Sequence, residues 1–316
     1  MTKRMNRRVF LKNSTIICAS TILTGNLIST GGKRLSTINS ENKIDISVGV
    51  GEDYFNCTLN AVKQQGGMKC FVSNQSKVAI LANAQRNNPG TFTNPDILRA
   101  VIRMCKEAGA KEINCLSWQP EKNWENTGLK KVIEQEGANL IIVNLKDETL
   151  FKPISIAKGK SLKKCRIMKP FFQHNTFINI PITKDHAGNK FTGTLKNLMG
   201  LNSPQNNRTF HKKSWRTDIN SINHLDQCIA DLNTVIEPDL NIVDATEFII
   251  TNGPFGPGKL LKPNQVVVGT DRVAVDSYCC QLWGLEIKEI IMINQAYKHG
   301  LGEINLKKVS INKISG

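Results

Sequence analysis

The densest group of chemically active side chains follows the apolar run FINIPI. Thr183 is succeeded by Lys184, Asp185 and His186. Lys196 and Asn197 come next on a short helical turn, and His211 closes the same region. Lysine ammonium groups hold anions, and histidine near neutral pH moves protons or ligates a metal. Two histidines with an aspartate can bind a metal ion, although the residues alone name neither a metal nor a cofactor. Placement carries as much weight as residue type. The group stands at the carboxyl end of a strand, where open α/β sheets bind their ligands. Away from such an edge, the same residues are ordinary turn polarity.

Two carboxylates can complete the cluster. Asp244 ends the strand-like stretch 241–244 and can face the same sheet edge as His186. Asp271 follows the strand VVVG and opens a helix, which is the position of an N-cap. Asp276 lies one turn further in, where capping of its own helix does not explain it. Lys184, His186 and Asp276 are therefore the candidate catalytic residues for acid–base work. Lys196, Asn197, His211 and Asp244 are candidates for holding a ligand or cofactor. The string Asn252–Lys259, NGPFGPGK, has the glycine content of a phosphate loop but no helix following it. A helix N-terminus is what makes such loops bind phosphate, so this one reads as a rigid turn at the pocket's edge.

The elements that must position these residues follow from periodicity. Short apolar runs at 46–50, 77–82, 112–117, 139–145, 176–182, 241–244, 248–251 and 265–269 read as strands. Helical spacing occupies 54–65, the stretch after Asn94 and Pro95, 129–136, 219–235, 271–282 and 287–298. Asn94 can cap, Pro95 suits the first turn and Gly109 closes that helix. Residues 151–170 are lysine-rich and read as a β excursion. The alternation predicts an α/β fold: a mostly parallel, mixed sheet covered by helices on both faces. Residues 183–217 show little periodicity and read as a long central loop or cap within a single domain spanning 44–316.

The chain has 316 residues, with 40% hydrophobic and 22% charged, which places it among globular proteins. Its net charge is +16, unevenly spread. Residues 1–43 hold eight Lys or Arg against one Glu, leaving 34 against 25 in the rest. No Arg/Lys stripe interleaved with aromatics is present, so nucleic acid is not an expected partner. The nine cysteines include no C-x-x-C pair, and several sit where a small apolar residue would serve. Buried free thiols are expected for those.

The first 35 residues read as a leader. Arg7 and Arg8 precede Val9-Phe10-Leu11-Lys12, followed by a weakly apolar stretch from Ser14 to Ile28. That stretch is too short and too polar to span a bilayer stably. NRRVFLK resembles the twin-arginine translocation signal. The expectation is export of the folded protein to the periplasm, or another extracytoplasmic space, by the twin-arginine machinery. Membrane contact would then occur only through an uncleaved leader. Cys18 follows a bulky isoleucine, which argues against lipid attachment.

Six ordered blocks resemble the "domain of unknown function 362" family. They are TNPDILRAVIRMCKEAGAKEI, INIPITKDH with GTLKNLMG, HLDQCIADL, PDLNIVDA, TNGP and GTDRVAVDS, within roughly 70–312. The resemblance implies an α/β domain of unsettled function. It implies shared polar residues at Lys184, His186, Lys196, Asn197, His211, Asp231, Asp244, Asn252, Asp271 and Asp276, and so adds Asn252 to the ligand-holding candidates. Family members often carry Lys-Pro-Asn where this chain has Leu81-Ala82-Asn83, so a lysine's role there is lost or moved. Some relatives carry iron–sulfur modules, but the ferredoxin cysteine run is absent here and no cluster carries over. The expected function is binding of an anionic small molecule or metal-linked cofactor at the sheet's carboxyl edge, in association with redox chemistry. A second reading is a non-catalytic binding or assembly protein exported folded with a partner.

Overall fold

A computed structural model describes residues 44–316; the expected leader lies outside the described residues. In chain order the strands are β1 (Ile46–Val50), β2 (Lys77–Ala82), β3 (Glu112–Ser117), β4 (Asn139–Ile142), β5 (Phe151–Ser155) and β6 (Lys164–Met168). They continue with β7 (Thr176–Ile180), β8 (Leu240–Ala245), β9 (Phe248–Ile249), β10 (Leu260–Leu261), β11 (Gln265–Gly269) and β12 (Ile311–Ser315). The α-helices are α1 (Tyr54–Gln64), α2 (Pro95–Glu107), α3 (Glu121–Asn126), α4 (Leu129–Gln135), α5 (Thr194–Asn197), α6 (Pro204–Phe210), α7 (Ile219–Asn233), α8 (Arg272–Gln281) and α9 (Ile291–Lys298).

Eight strands form one sheet in the order β12-β1-β11-β8-β7-β2-β3-β4. Every pairing is parallel except the two made by β11. Side chains alternate between faces along each strand, so each face has its own core. Val78, Ile80 and Ala82 pack with α1, α2, α3 and α4 on one face. Ala79 and Leu81 pack with α5, α6, α7, α8 and α9 on the other. The fold is thus α/β, with a mostly parallel mixed sheet covered on both faces.

The chain leaves β2 in one direction through β3 and β4, and later fills the other side of β2 with β7 and β8. The order reverses between β2 and β7. Such a reversal opens a crevice beyond the carboxyl ends, because the flanking connections diverge to opposite faces.

Local chemistry explains the best-read helix. The Asn94 side chain accepts from Asp96 N, Pro95 occupies the first turn, and Ile97, Leu98, Val101, Ile102 and Cys105 form the buried stripe. Elsewhere the structure departs from the sequence expectation. No partner was assigned to β1 from sequence; it lies between β11 and β12 at the far side of the sheet. β9 leaves the main sheet and pairs with β10. α3 and β12 were not anticipated. Residues 183–217, expected as loop or cap, hold α5 and α6 and bury Phe191, Leu195, Leu198, Leu201 and Phe210 in a core. All eight described cysteines are free, and only Cys70 among them is exposed. No helix of the described residues is long and apolar enough to cross a membrane.

Candidate functional site

Beyond β7 the chain stays tied to the sheet. Thr183 N donates to the Asp244 carbonyl at 2.9 Å, and Asp185 N donates to the Ile249 carbonyl at 2.9 Å. Lys184 and Thr192 exchange backbone hydrogen bonds of 3.2 and 2.9 Å, so residues 184–192 form a small antiparallel loop. Gly253 packs directly on this loop. A Cβ there would collide with the Asp185 carbonyl, so the close approach requires glycine. The Asp185 carboxylate accepts from Gly253 N at 2.7 Å. It is thereby committed to the turn after Asn252.

At the strand-order reversal lies a cavity of about 200 Å³. Leu81, Ala82 and Asn83 from the end of β2, and Ser117 and Trp118 from the end of β3, form one wall. Lys184, His186 and Thr192 come from the loop after β7, Lys196 and Asn197 from α5, and Asn207 and His211 from α6 and its end. No aspartate or glutamate lines it. The Trp118 Nε1 and Thr192 Oγ1 atoms are buried without a hydrogen-bond partner.

Lys184 is fully enclosed in the cavity floor. Its Nζ donates to the Thr91 carbonyl at 2.6 Å, and burial without a carboxylate partner pushes its pKa down to about 7. Lys196 is buried nearer the opening. Its Nζ donates to Asn189 Oδ1 at 3.3 Å, and burial lowers its pKa while Asp226 opposes the fall.

His186 and His211 share one arrangement. His186 Nδ1 lies 2.8 Å from the Ala187 carbonyl and His211 Nδ1 lies 2.9 Å from the Asn207 carbonyl. A carbonyl oxygen only accepts, so Nδ1 carries the proton in both rings. In the neutral ring Nε2 is then an unprotonated lone pair. Burial, followed by the Lys196 charge, pushes both imidazoles below their ordinary pKa; for His186 the fall is large. Lys184 and His211 add to the effect on His186. Trp215 packs against both rings, with centroids 5.4 Å from His186 and 4.9 Å from His211. The arrangement offers an anion ammonium donors, and offers a proton two uncharged bases.

Three expected site residues lie elsewhere. Asp276, cast as a catalytic carboxylate, does not line the cavity. Its two oxygens accept from Thr194 N at 2.6 Å and Leu195 N at 3.0 Å, capping α5 from across the core. Burial pushes its pKa up to about 7. Gly193 makes this possible, because a Cβ there would strike Asp276 Oδ1 and the Phe191 ring. Asp244 accepts from Thr246 N, Thr246 Oγ1 and Asn94 N at 2.9, 2.7 and 2.7 Å. It thus joins β8 to the start of α2, with a pKa raised by burial to about 6. Asn252 has a positive φ of 58° and donates to the Pro257 carbonyl; it is a turn residue outside the cavity.

Asn197 does reach the cavity wall, as the last link in a chain of amides. Asn179 Nδ2 donates to Asn241 Oδ1 at 3.0 Å, and Asn197 Nδ2 donates to Asn179 Oδ1 at 2.8 Å and to the Leu81 carbonyl at 3.1 Å. These bonds pin α5 to the ends of β2 and β7 and, through Asn179, to the start of β8. Sequence reading did not single out Asn83, Trp118, Asn189, Asn207 or Asp226. Asp226 had a visible signal: it lies in the apolar stretch of α7, where an aspartate needs a buried partner. Asn83 and Trp118 follow β2 and β3 directly, and strand ends alone would have nominated them. Among the described residues no group of three or more His, Cys, Asp or Glu can hold a metal ion.

A mostly parallel α/β domain with a cationic, carboxylate-free cavity at its topological switch point is the class that fold and site define. The chain belongs to the family described as "Domain of unknown function (DUF362)", which matches residues 77–281. No curated protein matches its sequence. Among solved structures it is similar to the lactate racemase apoprotein from Thermoanaerobacterium thermosaccharolyticum. That alignment has a TM-score of 0.44 and 14% identity, covering 76% of this chain and 57% of the other. It is also similar to a protein from Thermotoga maritima, with a TM-score of 0.40 and 12% identity, covering 61% of this chain and 51% of the other. The chain therefore spans little more than half the length of either structure.

Proposed function

We propose that the cavity binds a small molecule bearing an anionic group, with Lys196 as the principal cation and Lys184 reinforcing it from the floor. The observation that supports this reading is the composition of the wall: two lysines and two histidines line it without a carboxylate. Buried positive charge without an opposing wall group favours an anion, because the ligand then supplies the compensation that water no longer does. His186 and His211 accept a proton from the bound molecule, or coordinate a metal that the molecule carries, through Nε2. Export by the twin-arginine route remains part of this proposal, supported by the NRRVFLK string alone.

The full-length protein is to be purified and screened by calorimetry against inorganic phosphate, sulfate and small carboxylates, with native mass spectrometry and elemental analysis for retained groups. Binding of at least one anion is expected, with loss in Lys196→Met. Replacing Lys184 and His186 by Ala without change in anion binding or retained groups would refute their roles. Paired Arg7→Lys and Arg8→Lys substitution is expected to hold the protein inside the cell; undiminished export would refute the route.

A further inference from the structure

Lys196 is a buried ammonium that makes no direct ion pair. Its Nζ bonds to Asn189 Oδ1, with the Met199 sulfur 4.0 Å away on another side. The opposite end of Asn189 donates through Nδ2 to Asp226 Oδ1. This orientation of the amide is dictated by chemistry. An ammonium only donates and a carboxylate only accepts, so a flipped amide would set N–H against N–H and oxygen against oxygen. Asp226 Oδ2 accepts from Met292 N at 3.1 Å, at the start of α9. Both carboxylate oxygens are thus occupied by donors.

We infer that Asn189 and Asp226 are positioning residues for Lys196. The amide aims the ammonium at the cavity, and the carboxylate behind it compensates the charge from one residue away. A direct Lys–Asp pair would satisfy the ammonium with its own protein and leave nothing for a ligand. Interposing an amide keeps N–H directions free while the counter-charge remains close enough to act. The other charged or titratable groups facing Lys196 are His186 and His211, both of which feel its charge, and Lys184 adds to the effect on His186 alone. Asp276 fixes the backbone of α5, which carries Lys196. Asp226 is the group whose charge raises the Lys196 pKa against burial.

The assignment rests on the anion-site reading for its purpose, but it is tested without a ligand. Lysine labelled with 13C in the full chain reports the titration of Lys196 by NMR, and Lys196→Met identifies its signal. In Asp226→Asn the Lys196 midpoint is expected to fall by about one pH unit or more, as loss of a nearby opposite charge requires. An unmoved midpoint in folded protein would overturn the assignment. Should Asp226→Asn fail to fold, Asn189→Ala keeps both charges and removes the bridge. Its Lys196 midpoint is expected to shift, and an unshifted one overturns the assignment equally. Inorganic phosphate then separates the two claims. A moved midpoint with no phosphate or other anion binding in the unsubstituted protein leaves the positioning role standing and removes the ligand reading. Where phosphate binds, its affinity is expected to drop about tenfold in Asn189→Ala, which removes the amide that aims the ammonium.

Discussion

Asp226 and Asp231 sit five residues apart on α7, and both are buried. Asp231 faces the β5–β6 hairpin. Its Oδ2 accepts from Lys160 N, Ser161 N and Leu162 N at 2.8, 2.7 and 2.8 Å. Its Oδ1 accepts from Gln227 and lies 2.8 Å from His299 Nε2. Burial alone would raise its pKa, but the backbone amides outweigh that and hold it below the ordinary value. Asp226 faces the cavity side with fewer donors, and burial pushes its pKa up. The contrast separates two uses of buried charge. A carboxylate enclosed by amides is a structural tie, whereas charges beside the cavity are left partly uncompensated. Incomplete compensation is what a ligand can exploit.

The largest effect is expected from Asp231→Ala, which strands three backbone donors and His299. A loss of about 3–5 kcal/mol in urea denaturation is expected, and a loss below about 1 kcal/mol would break the comparison. Gly193→Ala drives a methyl group into the Asp276 carboxylate and is expected to cost about 1–3 kcal/mol, read the same way. Lys196→Met should weaken binding of whichever anion the protein takes by about tenfold or more, equivalent to about 1.4 kcal/mol by calorimetry.

The finest test is a stability profile against pH. Asp276 has a folded pKa near 7 against an unfolded value of 3.8, so the folded state binds more protons between these values. Its contribution therefore favours folding at low pH and is lost as pH rises from about 4 to 7. In Asp276→Asn that decline should flatten by up to about 1.4 kcal/mol per pH unit. Asp231 has the opposite sign. Its folded pKa is depressed, so its stabilisation is present above the unfolded value and lost as pH falls through the folded one. Asp231→Asn should soften the acid limb alone. Identical profiles for the two variants would show that the number of amides around each carboxylate does not set the sign of its contribution.

Much of the fold was legible because it is local. Asn94, Pro95 and Gly109 write the limits of α2, and apolar runs write the strands. The partners of β1 were not legible, since they are set by β11 and β12 near the far end of the chain. The cavity residues of 184–211 were legible as a cluster because the strand before them fixes their edge of the sheet. The carboxylates were harder to place. Asp276 looked unexplained because its targets, Thr194 N and Leu195 N, are about eighty residues earlier. Asp226 escaped notice because its bond to Asn189 crosses from a helix to a loop with no sequence spacing to mark it.

The cap on α5 has a consequence for the order of assembly. A four-residue helix cannot nucleate alone, and the acceptor for its first amides comes from α8. As the ribosome delivers the chain, β2 and β7 can pair long before Asp276 exists. Asn197 can already reach the Leu81 carbonyl and Asn179, but the first amides of α5 stay without their acceptor until then. The binding chamber is therefore closed from behind, by a residue that never faces its interior.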